Sequence, residues 1–389
     1  MRRSSLTFLI VLAGLLLFLK NAPEKISANA VDPIEELRKK HNLPGLMVGY
    51  FTKQGEFVLK VTGVRKAGTN DLLQADDLMH IGSCTKSMTA TLIGLLVDEG
   101  KLRWDSSLGE IFPEDEIIQK SSYAKATVEQ FMDHTSGAPA DLDDLRHVNP
   151  LDPSSPVHWQ TLSVTDQRRR LVTFLAQQPL AKKPPSYHYS NVGYIILGAI
   201  IEKIRGHSWE AEIQQKIFEP LKIRSAGFGP PSKLQAFAPF GHSRIGSLLV
   251  DTEHDNPVIY GPAGTLHMSM GDWVKYLRLH LLPDQDLDGF ITGNDLDPFI
   301  RIRWKTLRHL HSPKQGADYV GGWLVTERPW AGGRVLYHSG SNTYWYCVVW
   351  LAPLQNRGFI AASNFGLDAA KACDEAVSWM IQQHPPLKK

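Results

Sequence analysis

The chain has 389 residues, with 42 Lys and Arg against 40 Asp and Glu and a formal net charge of +2. That balance excludes the basic excess expected of a nucleic-acid binder. With 43% hydrophobic and 21% charged residues, the composition is that of an ordinary globular protein, long enough for one large domain or two subdomains.

At the N-terminus, Arg2 and Arg3 precede an unbroken apolar run, LTFLIVLAGLLLFL, at residues 6–19. A basic start and a run of this length read as a secretory signal, short for a full membrane span. Ala28-Asn29-Ala30 supplies a small-x-small cleavage site, though some way past the run, so a retained anchor also fits. The expectation is an exported chain, periplasmic or extracellular, with residues 1–30 as signal peptide or N-terminal membrane anchor and the mature protein starting near Val31. No cysteine follows the apolar run, which excludes lipid attachment there. Three cysteines are few for an exported protein, so no obligatory disulfide framework is expected. Cys347 and Cys373 are candidates for a pair, and Cys84 is expected to be a free, buried thiol.

A short helix is expected in VDPIEELRKKHN. GLMVGYFTKQGEFVLKVTGV then alternates apolar and polar residues around Gln54-Gly55 and predicts a β-hairpin. In HIGSCTKSMTATLIGLLVDEGKL, residues 80–102, Met88, Leu92, Leu95 and Leu96 mark one helical face, while Ala90, Ile93 and Val97 fill most of the rest. A helix apolar nearly all round is a buried one, and Gly100 is its expected stop. Residues 104–310 read as helix and loop, rich in proline, without a clear strand run. Strand character returns in YVGGWLVTE, GRVLYHSGS, TYWYCVVWLAP and RGFIAASNFG, and LDAAKACDEAVSWMIQQH closes the chain as a helix. Strands early and late with helices between predict an antiparallel sheet of distant segments and an inserted helical subdomain.

Ser83 and Lys86, at the start of the 80–102 helix, stand three residues apart and so share a face, with Cβ atoms roughly 5–6 Å apart. The positive helix end favours negative charge developing at Ser83. A serine hydroxyl is a weak nucleophile until a neighbour takes its proton, and a buried lysine can do so once desolvation lowers its pKa. The spacing alone is unspecific, since Ser122-Tyr123-Ala124-Lys125 repeats it in a polar stretch. Two further groups add weight. Tyr189-Ser190-Asn191 is the one Tyr-x-Asn in the chain, 106 residues after Ser83 and just before a second apolar helix. A tyrosine there can pass a proton, and an asparagine amide can hold a substrate carbonyl and orient Lys86. His338-Ser339-Gly340 falls on an expected strand, where a glycine lets a substrate backbone come close and an edge can pair with an extended chain.

One other stretch, DQDLDGFITGND at 284–295, fits a calcium loop, with Asp284, Asp286 and Asp288 at ligand positions and Gly289 at the turn. Asp295 stands where a bidentate glutamate is expected, and a polar turn is the preferred reading, so no metal or cofactor is called for. His309 and His311 are too isolated to be read as ligands.

This set of motifs resembles the serine β-lactamase and penicillin-binding superfamily, whose general pattern includes Ser-x-x-Lys. The Tyr-x-Asn makes it similar to the class C branch, which takes in class C β-lactamases, D-Ala-D-Ala carboxypeptidases and related esterases. The resemblance runs through nearly the whole mature chain, including GKLRWDSSLGEIFPE, TVEQFMDHTSGAP at 127–139, YGPAGTLHMSMGDWVKYL and YVGGWLV. His134 in the His-Thr-Ser-Gly segment is read as packing, with Gly137 ending a helix. The resemblance implies that Ser83 is acylated, that Lys86 and Tyr189 share the proton transfers, and that Asn191 binds the substrate amide. It also implies that His338, Ser339 and Gly340 line the site from a strand, and that the backbone N–H groups of Ser83 and Ser341 form an oxyanion hole. There are departures. His338 stands where class C β-lactamases carry a lysine, and histidine is cationic only when protonated. Gly264-Thr265 stands where many relatives have Gly-Gly.

The expected fold class is therefore α/β (α+β), β-lactamase/transpeptidase-like. A sheet subdomain covers about 31–100 and 311–389, and a helical subdomain about 101–310. The expected function is exported serine hydrolysis of an ester or amide through an acyl-enzyme, D-Ala-D-Ala carboxypeptidase-like or esterase-like. A class C β-lactamase and a non-catalytic cell-wall-binding relative are the alternatives. The expected partner is a small-molecule or peptide substrate, a peptidoglycan peptide among the candidates, with no nucleic acid and with membrane contact only through the N-terminal segment.

Overall fold

In the computed structural model, residues 32–145, 159–233, 238–246, 248–281 and 302–385 are described. Strands β1 (Gly45–Thr52) and β2 (Phe57–Gly63) form the expected hairpin, turning through Gln54 and Gly55. Strand β3 (Leu78–His80) leads into a 3₁₀ turn at Gly82–Cys84 and then the Thr85–Asp98 helix. Gly100 follows that helix with φ +70°, the left-handed stop its sequence suggested.

Strands β8 (Tyr319–Val320), β9 (Trp323–Arg328), β10 (Gly333–Ser341), β11 (Tyr346–Ala352) and β12 (Arg357–Ser363) complete a seven-stranded sheet. Its order is β2-β1-β12-β11-β10-β9-β8 and every pairing is antiparallel. Side chains alternate between the two faces, as strand geometry requires. On one face Leu46, Val48, Val348, Phe359 and Ala361 pack with Ala372, Ala376 and Met380 of the closing Ala370–Gln383 helix. On the other, Met47, Phe51, Cys347, Val349, Ile360 and Ala362 join the larger core. That core includes the Thr85–Asp98 helix and the Asn191–Arg205 helix, both apolar nearly all round and buried accordingly.

Three expectations are corrected. The middle of the chain is not free of strands: β4 (Gly227–Phe228), β5 (Gly241–Ile245), β6 (Leu248–Thr252) and β7 (Leu266–Ser269) lie within it. Strands β3, β7 and β4 make a small sheet, and β5 and β6 a separate hairpin. Elements of two to five residues carry too few side chains for a period to emerge. YVGGWLVTE is two strands, because Gly321 and Gly322 turn at φ +55° and +82° between β8 and β9. Finally, Cys347 and Cys373 are not bridged; all three cysteines are free and buried, and Cys347 lies against Cys84, with Sγ atoms 3.6 Å apart. Cys347 and Cys373 belong to opposite faces of the sheet.

Candidate active site

Ser83 is the half-buried residue of an otherwise buried turn, Ile81 to Cys84. Lys86, one helical turn on, is fully buried. Its Nζ lies 3.1 Å from Ser83 Oγ, 2.7 Å from Asn191 Oδ1 and 2.7 Å from the Ala263 carbonyl oxygen. Asn191 opens the Asn191–Arg205 helix, but Ser190 caps it, its Oγ accepting from Gly193 N–H at 2.8 Å. Asn191 is thereby free to point across at Lys86. Its Nδ2 donates to Asp141 at 3.1 Å, which fixes the amide with its oxygen towards the lysine. Asp141 is held in turn by Leu142 N–H at 2.8 Å and by the Tyr260 hydroxyl.

Burial lowers the Lys86 pKa to about 7, with Asp141 opposing. The geometry then assigns its protons. Asn191 Oδ1 and the Ala263 carbonyl can only accept, so each must take an N–H from Lys86. A neutral amine has two hydrogens, both spent on the two shorter contacts, and its lone pair is left for Ser83 Oγ. This arrangement can draw the proton from the serine hydroxyl near neutral pH.

Tyr189 stands beside Ser83, and Lys86 Nζ lies 5.0 Å from its ring centroid. Burial pushes the phenol pKa well above its ordinary value, the Ser83 contact opposing, so Tyr189 keeps its proton. The segment is held by His134, whose Nδ1 accepts from Ser190 N–H at 3.1 Å and whose carbonyl accepts from His188 N–H at 2.8 Å. The His134 ring packs against Tyr189 and Tyr319, with centroids 4.4 and 4.5 Å away. His134 therefore packs and positions. Beneath it, buried Tyr123 donates to the Gly137 carbonyl at 3.1 Å, whereas Ser122 and Lys125 of the second Ser-x-x-Lys are exposed, far from such a burial.

Strand β10 runs directly past the nucleophile turn. Gly82 has φ +48°, and a Cβ there would stand 2.4 Å from Ser341 N; a Cβ on Gly340 would stand 2.0 Å from the Ile81 carbonyl oxygen and 2.8 Å from Ser83 N. Only glycine at both positions permits this approach, which brings the amides of Ser83 and Ser341 beside one narrow gap. His338 is buried on β10, its Nδ1 2.6 Å from the Ser339 carbonyl and its Nε2 3.2 Å from the Tyr319 hydroxyl. Burial and the nearby Lys86 charge push its pKa down to about 3. The ring is thus neutral, not a substitute for a lysine charge. Ser339 is exposed, and strand alternation turns its side chain to the face opposite His338.

The structure thus brings Ser83, Lys86 and Asn191 into one hydrogen-bonded group, with Tyr189, His338, Gly340 and Ser341 alongside. Sequence reasoning missed Asp141, Tyr260, Tyr319 and the Ala263 carbonyl. Asp141 follows the His-Thr-Ser-Gly segment by four residues, the one signal that pointed to it. The others come from segments whose proximity only folding reveals. His309 lies 3.0 Å from Glu129, and His311 pairs with His280 at 2.8 Å, so both have structural partners. Residues 284–295, the possible calcium loop, lie outside the described residues, and among the described residues no cluster of three or more metal-ligating side chains occurs.

Among curated proteins, Penicillin-binding protein 4 of Amycolatopsis lactamdurans is 28% identical over 253 residues, covering 64% of this chain and 62% of that relative. The chain thus spans less than two thirds of the length of this relative. Among solved structures, a class C β-lactamase from Rhodobacter sphaeroides superposes with a TM-score of 0.69 at 18% identity, covering 90% of this chain and 98% of that one. The D-amino acid amidase of Ochrobactrum anthropi SV3 gives 0.67 at 19% identity, covering 90% and 97%. The fold is therefore β-lactamase/transpeptidase-like. The sequence profile of the Beta-lactamase family matches residues 31–379, and the chain belongs to that family.

Proposed function

We propose that this protein is an exported serine hydrolase that cleaves an ester or amide bond through an acyl-enzyme on Ser83. The observation that carries the reading is the buried Lys86 Nζ, 2.7 Å from each of two groups that can only accept, Asn191 Oδ1 and the Ala263 carbonyl, and 3.1 Å from Ser83 Oγ. Lys86 takes the serine proton as Ser83 attacks the carbonyl. The Ser83 and Ser341 amides stabilise the oxyanion. Tyr189, holding its proton, delivers it to the leaving group and is restored from Lys86. The second N–H of Asn191 Nδ2 faces the substrate amide. Water then attacks the acyl-enzyme by the reverse of these transfers.

Within the class, a neutral ester or amide is favoured over a peptide ending in a free carboxylate. His338 stands buried and uncharged where a carboxylate would need a cation, against buried Tyr319, whose ring in turn packs with half-buried Tyr189 and exposed Tyr187. The amidase relative acts on an amide, whereas a D-Ala-D-Ala carboxypeptidase must hold a carboxylate. Export rests on residues 1–30; among the described residues no helix is long and apolar enough to cross a membrane.

The test is turnover of p-nitrophenyl esters and amino acid amides by the purified chain, beside penicillin incubation followed by intact mass. The expectation is ester or amide turnover in the native protein and none in a folded Ser83→Ala. A folded Ser83→Ala of native activity overturns the assignment of the nucleophile. A stable penicillin adduct without ester or amide turnover replaces the substrate class with the carboxypeptidase-like one.

A further inference from the structure

Three walls of the site converge on the two residues Asp255 and Asn256, just past β6. The Asp255 side chain is buried, only 5% exposed. Its Oδ2 lies 3.0 Å from His80 Nε2. Its Oδ1 accepts from Asn342 Nδ2 at 2.7 Å and from Asn256 N–H at 2.7 Å. Each partner leads to a functional wall. His80 ends β3, and its Nδ1 accepts the Gly82 N–H at 3.1 Å, one residue before Ser83. Asn342 follows Ser341, and its Oδ1 accepts from the Tyr344 and Trp345 amides at 3.2 and 3.1 Å, which fixes the turn from β10 to β11. Asn256 Nδ2 donates to the Gly264 carbonyl at 3.2 Å, next to the Ala263 carbonyl that holds Lys86.

The chemistry of the ring makes the carboxylate specific. Because His80 Nδ1 accepts from Gly82, the ring hydrogen is on Nε2, and a group that only accepts must face it. A carboxylate does this and keeps its other oxygen for Asn342. Resting on the reading of Ser83 as an acylated nucleophile, we infer that Asp255 is a positioning residue for the oxyanion-binding amides. Through His80 it fixes the turn carrying Ser83 N–H, and through Asn342 it fixes the end of β10 carrying Ser341 N–H. One side chain thereby sets the width of the gap between two donors that come from different parts of the chain.

Asp255→Asn is isosteric and reverses this logic. Its amide oxygen can still serve Asn342, but its NH₂ faces His80 Nε2 and forces the ring hydrogen onto Nδ1, against the Gly82 N–H. The experiment measures the second-order rate at which a fluorophosphonate labels Ser83, together with kcat and KM on a p-nitrophenyl ester and the unfolding midpoint. Phosphonylation places an oxygen in the oxyanion gap and needs no knowledge of the natural substrate. Displacing one oxyanion donor costs about 10²–10³-fold, and partial displacement is expected to slow labelling about 10–100-fold. kcat should fall with it while KM stays within about threefold, since substrate binding does not use the gap in the ground state. A folded Asp255→Asn labelled at the native rate overturns the inference, as does a loss confined to KM. Should that variant not fold, His80→Gln serves. Its amide can still donate to Asp255 but leaves no acceptor at Gly82, and a native labelling rate in it is equally fatal. Failure of the fluorophosphonate to label the native protein at Ser83 removes the parent reading and this one together, which distinguishes the two failures.

Discussion

On the proposed reading, Lys86 is the residue on which the chemistry turns, and its titration gives the most direct check. Folding lowers its pKa to about 7, so the free base is populated at neutral pH rather than near the ordinary lysine value. For kcat/KM the sign is positive with pH: activity should climb tenfold per unit below about pH 7 and level off above it. A profile still climbing at pH 9 would contradict Lys86 as the base. The spacing of Ser83 and Lys86 was legible because a helix turn puts both on one face. Asn191 was legible because its neighbouring tyrosine and the helix behind it made a pattern. Asp141 was not, since a carboxylate that orients an asparagine has no periodicity of its own. The neutral state of His338 was also out of reach: a strand position tells that a side chain alternates inward, but not that Tyr319 and the body of the sheet will keep water from it.

At the scale of elements, the close passage of β10 over the Gly82–Cys84 turn is the geometry that matters. Gly340→Ala would put a methyl group 2.0 Å from the Ile81 carbonyl oxygen. The strand must retreat, and a shift of about 1 Å at a reacting centre costs about 10²-fold. The expected outcome is a folded variant with ester turnover down by about that factor, read by steady-state kinetics; native turnover would mean that β10 does not form the gap. The glycine in His-Ser-Gly was visible in the sequence, but the partner it makes room for was not. The element forecast was strongest where side chains repeat over seven or more residues, as in β1, β10 and β11. It was weakest for β3, β4 and β7, which together brace the turn before Ser83. Arg168, buried between Glu202 and Glu210 and donating to the Ile259 and Val258 carbonyls, braces the segment leading to Ala263 in the same unannounced way.

At the scale of the whole molecule, the main sheet joins residues 45–63 to residues 319–363, and the segments inserted between them supply Tyr189 from a loop and Asn191 and Ala263 from helices. The antiparallel sheet of distant segments was legible from strands at both ends of the sequence. The whole-molecule prediction concerns acid. Burial lowers the pKa of His134, His267, His280, His311 and His338, with His280 and His338 at about 3 and His267 at about 4. An unfolded chain protonates these rings near pH 6.5 whereas the folded one resists, so their stabilisation is complete above 6.5 and is lost as pH falls towards their folded values. Asp133, raised by burial to about 7, and Glu202, also raised by burial, work in the opposite sense. The unfolding midpoint should drop by about 10 °C or more between pH 7 and pH 4.5, measured by circular dichroism; a flat profile would show that these rings admit water.

The contacts of Lys86 carry a further meaning. Its partners lie 105 and 177 residues along the chain from it, in segments that meet only in the native fold. Before they meet, the amine is an ordinary solvated lysine and the serine beside it an ordinary alcohol. On the proposed reading, a chain in which these segments have not met is chemically inert, and reactivity arises only once they pack together. Covalent capture of Ser83 would then serve as a clock: the moment at which a refolding sample becomes labelled dates the meeting of the segments that carry Lys86, Asn191 and Ala263.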